Sequence, residues 1–167
     1  MKKIVMVIAH EGFRDEEYLE PKRIFENNDF KVTVASSRLT DAVGKLGARV
    51  KPDILVKNID VKDYDGIVLI GGPGAREYFK DKLVHNLLNT ANQLNKVISA
   101  ICIAPNILAN AGLLKGVKAT CWDSDNLINK GAEYTGSSVE VSGRIITGKG
   151  PFAAEEFAEA IVAEVNK

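Results

Sequence analysis

The sequence predicts an α/β fold in which a mostly parallel β-sheet is covered by helices on both faces. Short apolar runs rich in β-branched residues alternate along the chain with segments of helical periodicity, as in proteins built from βαβ units. One of these runs changes into a helical pattern within a single residue, at Cys102. A strand-to-helix turn of this kind is typical of α/β proteins that present a nucleophile at the edge of the sheet.

Six strands and four helices are expected. The strands are the apolar runs Lys3–Ala9, Lys31–Ser36, Gly66–Ile70, Lys96–Ile101, Lys118–Thr120 and Ile145–Thr147. The helices are the segments Asp15–Asn28, Asp81–Leu94, Pro105–Ala111 and Ala153–Val165. The first strand ends where His10 follows the apolar run. The third helix begins with a proline, whose fixed φ suits a first helical residue. The last helix carries Phe157, Ile161 and Val165 at the spacing of an apolar stripe.

Two stretches depart from this alternation, and both predict antiparallel excursions. The first is Thr40–Ile59, which contains the glycine-flanked segment 44–47 followed by spaced apolar residues. The second pairs Ser138–Ser142 with Arg144–Thr147, as a hairpin that turns at Ser142-Gly143. Neither an internal repeat nor a flexible linker interrupts the chain, so residues 1–167 are expected to form one domain.

The composition is that of an ordinary globular protein, with 46% hydrophobic and 26% charged residues. Its 22 basic and 22 acidic side chains cancel, so neither nucleic acid nor an anionic membrane is expected as a partner. The two cysteines, Cys102 and Cys121, lack the spacing of a disulfide framework or a zinc site, which favours a reduced cytoplasmic protein without a bound metal. No apolar run is long enough for a signal peptide or a membrane span.

Cys102 is the candidate nucleophile. Ala100 and Ala104 stand two positions before and after it, where a nucleophile elbow needs small residues. The start of the following helix is expected to favour the thiolate over the thiol. The alternative is that Cys102 is a small apolar core residue, the ordinary role of a cysteine at the end of a buried strand.

A glycine-rich loop, Gly71–Ala75, directly follows the third predicted strand. Since ligands bind at the carboxyl ends of parallel strands, this loop and Cys102 are expected at the same edge of the sheet. The N–H groups of Gly72 and Ile103, with Gly71 beside them, are then candidates for an oxyanion hole. The alternative is an ordinary turn, because the loop has the spacing of neither a phosphate loop nor a dinucleotide site.

Carboxylates crowd the segment Phe13–Pro21, where the first helix begins. In the simplest interpretation they complement the positive end of the helix and face water. A carboxyl group that pointed toward the strand ends would instead lie beside Cys102, where desolvation could keep it protonated. His10 is a possible neighbour of the site, although a structural role in its loop is favoured, and His85 is expected on a helix surface.

Together these motifs resemble the ThiJ/PfpI superfamily, which includes the Parkinson-disease protein and the deglycases and has a flavodoxin-like fold related to class I glutamine amidotransferases. The resemblance spans nearly the whole chain and rests on Phe13-Arg14-Asp15-Glu16-Glu17 ending at Pro21, Ile70-Gly71-Gly72, Ala100-Ile101-Cys102 and Ile146-Thr147-Gly148-Lys149-Gly150-Pro151. It implies a three-layer sandwich and, as is usual in the family, a homodimer or larger homo-oligomer.

The resemblance also implies residue roles. Cys102 corresponds to the family's reactive cysteine and Glu17 to the glutamate that hydrogen-bonds it, while Gly72 and Ile103 match positions whose amides line the oxyanion site. The peptidase-like branch has histidine where this chain has Ile103. Several glyoxalase-active members have histidine where this chain has Trp122, which makes that residue a possible neighbour of the site.

The expected function is that of a cysteine-dependent enzyme that acts on small reactive carbonyl compounds or glycated amines without a cofactor. Cys102 adds to the aldehyde, and Glu17 acts as general acid and base. The alternatives are a sensor that oxidises Cys102 to the sulfinate, or a chaperone. Proteolysis is less favoured because Ile103 cannot act as a base. Cys121 is expected to be a buried apolar residue.

Overall fold

The computed structural model describes residues 1–167 and confirms the predicted fold, a mostly parallel sheet between two layers of helices. The strands are β1 (Lys3–Val7), β2 (Glu11–Phe13), β3 (Lys31–Ser36), β4 (Ala42–Gly44), β5 (Arg49–Val50), β6 (Ile54–Leu55), β7 (Gly66–Leu69), β8 (Val97–Ile101), β9 (Lys118–Ala119), β10 (Glu133–Tyr134), β11 (Val139–Ser142) and β12 (Ile145–Gly148). The helices are α1 (Asp15–Asn27), α2 (Lys82–Gln93), α3 (Pro105–Asn110), α4 (Asp125–Asn129) and α5 (Ala154–Val165). None of these helices is long and apolar enough to cross a bilayer.

The central sheet has seven strands in the order β11-β12-β8-β7-β1-β3-β6. Every neighbouring pair is parallel except β11 and β12. The chain first extends the sheet from β1 through β3 to β6, then returns to the other side of β1 and adds β7, β8 and β12. Loops that leave β1 and β7 diverge at this reversal, where open α/β sheets form their ligand sites.

Two apolar clusters hold the helices to the sheet, one on each face. Because side chains alternate along a strand, Ile4 and Met6 of β1 pack in the same cluster as Phe157 of α5. Val5 points to the opposite face, in the cluster that contains Leu88 of α2. The central strands are therefore buried on both faces, and this explains their continuous apolar sequences.

All the predicted strands and helices form, with ends within two residues of the expected positions. The predicted hairpin is also confirmed, since β11 pairs antiparallel with β12 and Gly143 in the turn has φ 59°. The excursion Thr40–Ile59 is antiparallel only in part. β4 and β5 pair antiparallel, but β6 joins the edge of the main sheet parallel to β3.

The predicted strand at Lys118 forms outside the main sheet, which corrects the sequence-based expectation. β9 pairs with β10 in a separate two-stranded parallel sheet. Side chains take the place of a strand ladder where β9 approaches the main sheet: the Ser142 hydroxyl donates to Lys118 O over 3.0 Å, and Thr120 N–H donates to Thr147 Oγ1 over 3.0 Å. The short elements β2, β10 and α4 were not predicted, because segments of two to five residues carry little periodicity.

Candidate active site

Cys102 occupies a strained turn directly after β8, with its backbone in the left-handed region at φ 65°. Its N–H donates to Gly148 O over 2.9 Å. Its carbonyl accepts hydrogen bonds from Trp122 N–H over 2.8 Å and from the Cys121 thiol over 3.1 Å. A positive φ is costly for any residue with a β-carbon, so these contacts are what hold the elbow in place.

Glu17 is the carboxyl group that points inward from α1, and its side chain is fully buried. Its Oε1 accepts a hydrogen bond from Gly71 N–H over 3.0 Å, and its Oε2 is buried without a hydrogen-bond partner. Pro21, four residues further along α1, lacks the N–H that would bond the Glu17 carbonyl, so the helix is locally weakened at this turn.

Gly71 separates Glu17 from Cys102. A β-carbon on Gly71 would lie 2.6 Å from Glu17 Oε1 and 2.6 Å from Cys102 Cβ, closer than real atoms approach. Only a glycine therefore fits between the carboxyl group and the thiol. The structure brings these three predicted site residues together through α1, the loop after β7 and the turn after β8.

Burial raises the pKa of Glu17 to about 7, and three neighbours limit the rise. The nearby Cys102 thiol, the Gly71 N–H and the positive charge of Arg14 each favour its ionised form. A carboxyl group with this pKa is present in both protonation states near neutral pH. It is therefore suited to accept a proton in one step and return it in another.

Burial, together with the negative charge of Glu17, raises the pKa of Cys102 to about 12. The N–H groups of Gly72 and Ile103 act in the opposite direction, because both favour negative charge on the sulfur. The start of the following helix is therefore not enough to make the thiolate the favoured form. The desolvation of a thiol that is only 9% exposed outweighs the contribution of the short α3.

Gly72 brings its N–H to the sulfur by adopting φ 97°. A β-carbon at this position would lie 2.4 Å from the backbone nitrogen of Arg14, so the loop after β7 passes too close to the start of α1 for any other residue. Gly72 and Ile103 therefore contribute two N–H groups that favour negative charge on the Cys102 sulfur, from two different loops.

A cleft of about 210 Å³ opens above the Cys102 thiol. Its lining consists of Arg14, Lys45, Gly72, Pro73, Arg76, Cys102, Ile103, Trp122 and Pro151. The indole of Trp122 is 57% exposed. Sequence reasoning gave no role to Arg14, Lys45 or Arg76, because they stand on separate loops. The sequence contained two signals for these cations. Lys45 stands in the glycine-flanked segment 44–47, and Arg76 directly follows the glycine-rich loop.

The structure places both histidines outside the lining of this cleft, so His10 has the favoured structural role in its loop and is not the possible neighbour of the site. The ring of His10 hydrogen-bonds Thr40 Oγ1 over 2.9 Å, and its backbone N–H donates to Glu77 over 3.0 Å, in a separate surface depression. His85 hydrogen-bonds Phe79 O over 2.9 Å. Consequently no imidazole is available to the Cys102 thiol.

Cys121 is fully buried, as expected, but its surroundings are polar. Besides the bond to Cys102 O, its sulfur is 3.6 Å from Asn106 Nδ2 and 3.5 Å from Asp123 Oδ1. Burial raises the pKa of Cys121 to about 12. Cys121 therefore acts as a neutral hydrogen-bond donor to the elbow rather than as a purely apolar core residue.

The family model described as "DJ-1/PfpI family" matches residues 2–164 of this chain. Among curated proteins, uncharacterized protein MJ0967 of Methanocaldococcus jannaschii is 39% identical over 99% of this chain and 83% of its own length. Among solved structures, a ThiJ/PfpI domain protein from Brachyspira murdochii superposes with a TM-score of 0.95 at 32% identity, over 98% of this chain and 96% of the other.

Other curated relatives carry three different activity names. The glutathione-independent glyoxalase DJR-1.2 of Caenorhabditis elegans is 29% identical, over 96% of this chain and 87% of its own length. The putative cysteine protease YraA of Bacillus subtilis is 30% identical, over 94% and 95%. The deglycase PH1704 of Pyrococcus horikoshii is 29% identical, over 89% and 90%.

Proposed function

The chain belongs to the DJ-1/PfpI family, and from its site we propose that it is a cysteine-dependent enzyme that converts small 2-oxo aldehydes to 2-hydroxy acids. One observation carries the proposal: the buried Glu17 carboxyl lies next to the Cys102 thiol and has a pKa of about 7. This chemistry needs a nucleophile together with one group that takes and returns protons at adjacent atoms.

The reaction begins with addition of the Cys102 sulfur to the aldehyde carbon. A C–S bond forms, the π electrons of the carbonyl move to its oxygen, and Glu17 transfers the thiol proton to that oxygen. The N–H groups of Gly72 and Ile103 lie beside the sulfur, where they stabilise the developing negative charge. The product is a hemithioacetal.

Proton transfers then convert the hemithioacetal to a thioester. Glu17 removes the proton from the former aldehyde carbon and returns a proton to the neighbouring carbon through an enediol. Water next attacks the thioester carbonyl, the C–S bond breaks, and the 2-hydroxy acid leaves with the thiol restored. The overall reaction adds one water and needs no external oxidant or reductant.

The geometry gives less support to the other activities of the family. A cysteine peptidase requires a base that can also protonate the leaving amine, and no imidazole lines the cleft. An oxidation sensor would use the same buried thiol, but it would need no group that moves protons between adjacent atoms, whereas Glu17 is suited to that task. Glycated amines remain a second substrate class, because their conversion would begin with the same step, the attack of the Cys102 sulfur on the substrate carbon.

The test is the formation of lactate from methylglyoxal by freshly reduced protein. Cys102→Ser is expected to lower kcat/KM by at least about 10³-fold, and Glu17→Gln by about 10²–10⁴-fold, because each removes a group that takes part in every step. The matched control is Cys121→Ser. Position 121 lies outside the cleft lining and serine retains a hydrogen-bond donor, so kcat/KM should stay near the wild-type value.

Two outcomes would contradict the proposal. Similar turnover by wild type and Cys102→Ser would remove Cys102 as the nucleophile. If the reduced wild-type protein turned over no dicarbonyl but rapidly formed a sulfinate at Cys102, the sensor alternative would replace the enzymatic one.

A further inference from the structure

Three cationic side chains surround the opening above Cys102, and no carboxylate does. Arg14, Lys45 and Arg76 line the cleft, whereas its remaining lining residues, including the neutral Cys102 thiol, carry no charge. The chain as a whole has a formal net charge of zero, so this cluster is a local feature. We call these three side chains the cationic rim.

Most of the positive charge of the cationic rim is not neutralised by a protein partner. The side chains of Lys45 and Arg76 make neither an ion pair nor a hydrogen bond in the structure. Arg14 donates its Nε to Glu16 Oε2 over 2.6 Å and has its two terminal nitrogens left for another acceptor. A guanidinium with two free nitrogens is suited to bind a carboxylate or phosphate through paired hydrogen bonds.

The backbone that carries Lys45 is held in position by β2 and by α1, which follows β2 in the chain. The N–H of Lys45 donates to Phe13 O over 2.8 Å. The buried carboxylate of Asp15 accepts hydrogen bonds from Leu46 N–H and Ala48 N–H, each over 2.8 Å. These contacts hold the loop after β4 against the site, so the lysine is presented to the cleft by an ordered backbone.

The backbones of Arg14 and Arg76 are also fixed by neighbouring structural elements. The backbone N–H of Arg14 donates to Gly71 O over 2.9 Å, in the same loop that contacts Glu17. Arg76 lies in the 3₁₀ helix Pro73–Tyr78, which directly follows Gly72. The cationic rim is therefore assembled on the loops that position the reacting groups, and its charge acts on the same small volume.

We propose that the cleft selects carbonyl substrates that carry an anionic group, either a carboxylate or a phosphate, a few atoms from the aldehyde. This inference rests on the proposed function and names its substrate class. The cationic rim binds the anionic group, and the aldehyde carbon then lies over the Cys102 sulfur. The bond-making steps are those described above, and the anionic group takes no part in them.

The first experiment compares matched dicarbonyl substrates. The probes are 4,5-dioxopentanoate, which has a carboxylate, its uncharged counterpart 2-oxopentanal, and 3-phosphooxy-2-oxopropanal, which has a phosphate. We expect kcat/KM to be at least about tenfold higher for one or both anionic probes than for 2-oxopentanal. The ratio between the two anionic probes identifies which group the cationic rim prefers.

Lys45→Gln and Arg76→Gln should each lower kcat/KM for the anionic probes more than for 2-oxopentanal, so that most of this preference is lost. The matched control is Lys31→Gln, which removes the same charge from an exposed lysine. Lys31 is the first residue of β3, whereas the cleft lies at the carboxyl ends of the strands. It should leave the preference unchanged.

The second experiment measures the same selectivity without turnover. Iodoacetate and iodoacetamide both alkylate a thiolate by forming an S–C bond and releasing iodide, but only iodoacetate is anionic. We expect the iodoacetate-to-iodoacetamide rate ratio at Cys102 to exceed that of 2-mercaptoethanol by about tenfold, and to fall as salt screens the cationic rim. Lys45→Gln and Arg76→Gln should lower the ratio, and Lys31→Gln should not.

The two experiments separate the inference from the proposed function. A rate ratio equal to that of 2-mercaptoethanol, or one unchanged in Lys45→Gln and Arg76→Gln, would overturn anion selectivity even if the protein turned over every dicarbonyl. A high, salt-sensitive ratio without turnover of any probe would support anion selectivity and would instead count against the proposed reaction.

Discussion

The backbone N–H of Gly71 donates a hydrogen bond to Oε1 of Glu17 over 3.0 Å, and this bond orients the whole carboxyl group. With Oε1 occupied, the buried Oε2 has no partner in the protein. The carboxyl group is thereby held next to Cys102 in an environment that disfavours its charge. The same contact thus explains both the position of Glu17 and the protonation behaviour on which the proposed reaction depends.

The first prediction concerns the pH dependence of stability. The pKa of Glu17 is about 7 in the folded protein and near 4.5 in its ordinary state, so the folded protein binds the proton more tightly than the unfolded chain. The resulting stabilisation is complete below about pH 4.5 and is lost as pH rises through 7, a change of about 3 kcal/mol.

Glu17→Gln removes this titration. The free energy of unfolding of the wild type, relative to that of Glu17→Gln, should therefore fall by about 3 kcal/mol between pH 4 and pH 8. Urea unfolding at a series of pH values measures it. Glu133→Gln, which removes an exposed carboxylate on β10, serves as the control. A constant difference between wild type and Glu17→Gln would contradict the assigned burial of this carboxyl group.

The second prediction concerns the close contact at Gly71. Gly71→Ala would force a β-carbon to within 2.6 Å of both Glu17 and Cys102, so the two side chains must move apart. We expect a loss of about 1–3 kcal/mol in stability and at least about tenfold in dicarbonyl turnover.

Gly112→Ala separates this effect from the general cost of replacing glycine. Gly112 has φ 83°, and no atom lies within 4 Å of the β-carbon that alanine would add. The substitution should cost about 1 kcal/mol through backbone strain and leave turnover unchanged. Equal turnover by Gly71→Ala and Gly112→Ala would show that the spacing of Glu17 and Cys102 is not critical.

The third prediction identifies Cys121 as a positioning residue for the nucleophile. Its thiol donates a hydrogen bond to Cys102 O and so supports the positive φ of the elbow. Cys121→Ala should destabilise the protein by about 1–3 kcal/mol and slow the alkylation of Cys102 by iodoacetamide several-fold, whereas Cys121→Ser keeps a donor and should restore both. If alanine and serine variants behaved alike, the hydrogen bond would have no role in shaping the elbow.

The fourth prediction concerns Asp15, the first residue of α1. Asp15→Asn leaves one of the two N–H groups of Leu46 and Ala48 without an acceptor, at a cost of about 1–3 kcal/mol. The loop that carries Lys45 should then loosen, and the preference of Cys102 for iodoacetate should decrease.

A second aspartate provides the comparison for Asp15. Asp53 likewise accepts a backbone hydrogen bond, from Val34 N–H over 2.8 Å, but lies near β6 at the far edge of the sheet. Asp53→Ala, which removes the acceptor, should lower the melting temperature without changing the alkylation ratio. A similar fall in that ratio for both variants would indicate a general loosening of the protein instead of a specific effect on the loop.

Local patterns were sufficient to predict most of the fold. The continuous apolar runs at β1, β7 and β8 are a direct consequence of burial on both faces, and the stripe on α5 follows from its contact with the sheet. The elbow was also visible, because the change from strand to helix at Cys102 leaves a sharp boundary in the sequence. By contrast, β9 was assigned to the wrong sheet, since side-chain hydrogen bonds from Ser142 and to Thr147 determine its place.

The site was only partly accessible to the same reasoning. A carboxyl group near the thiol was an expectation from the acidic segment, but the choice of Glu17 came from a family resemblance. In the structure, the orientation of α1 after β2 turns Glu17 inward and leaves Glu16 half-buried, paired with Arg14. Helical periodicity could not make that choice, because neighbouring carboxylates have the same local propensity.

The sequence by itself determined the strands, the helices and the position of the reactive turn, because each depends on neighbours within a few residues. Only the tertiary structure decided the protonation of Cys102 and the composition of the cationic rim. Both depend on desolvation and charge across loops that are distant in sequence: burial beside Glu17 raises the pKa of the thiol, and Arg14, Lys45 and Arg76 meet only when three separate segments converge.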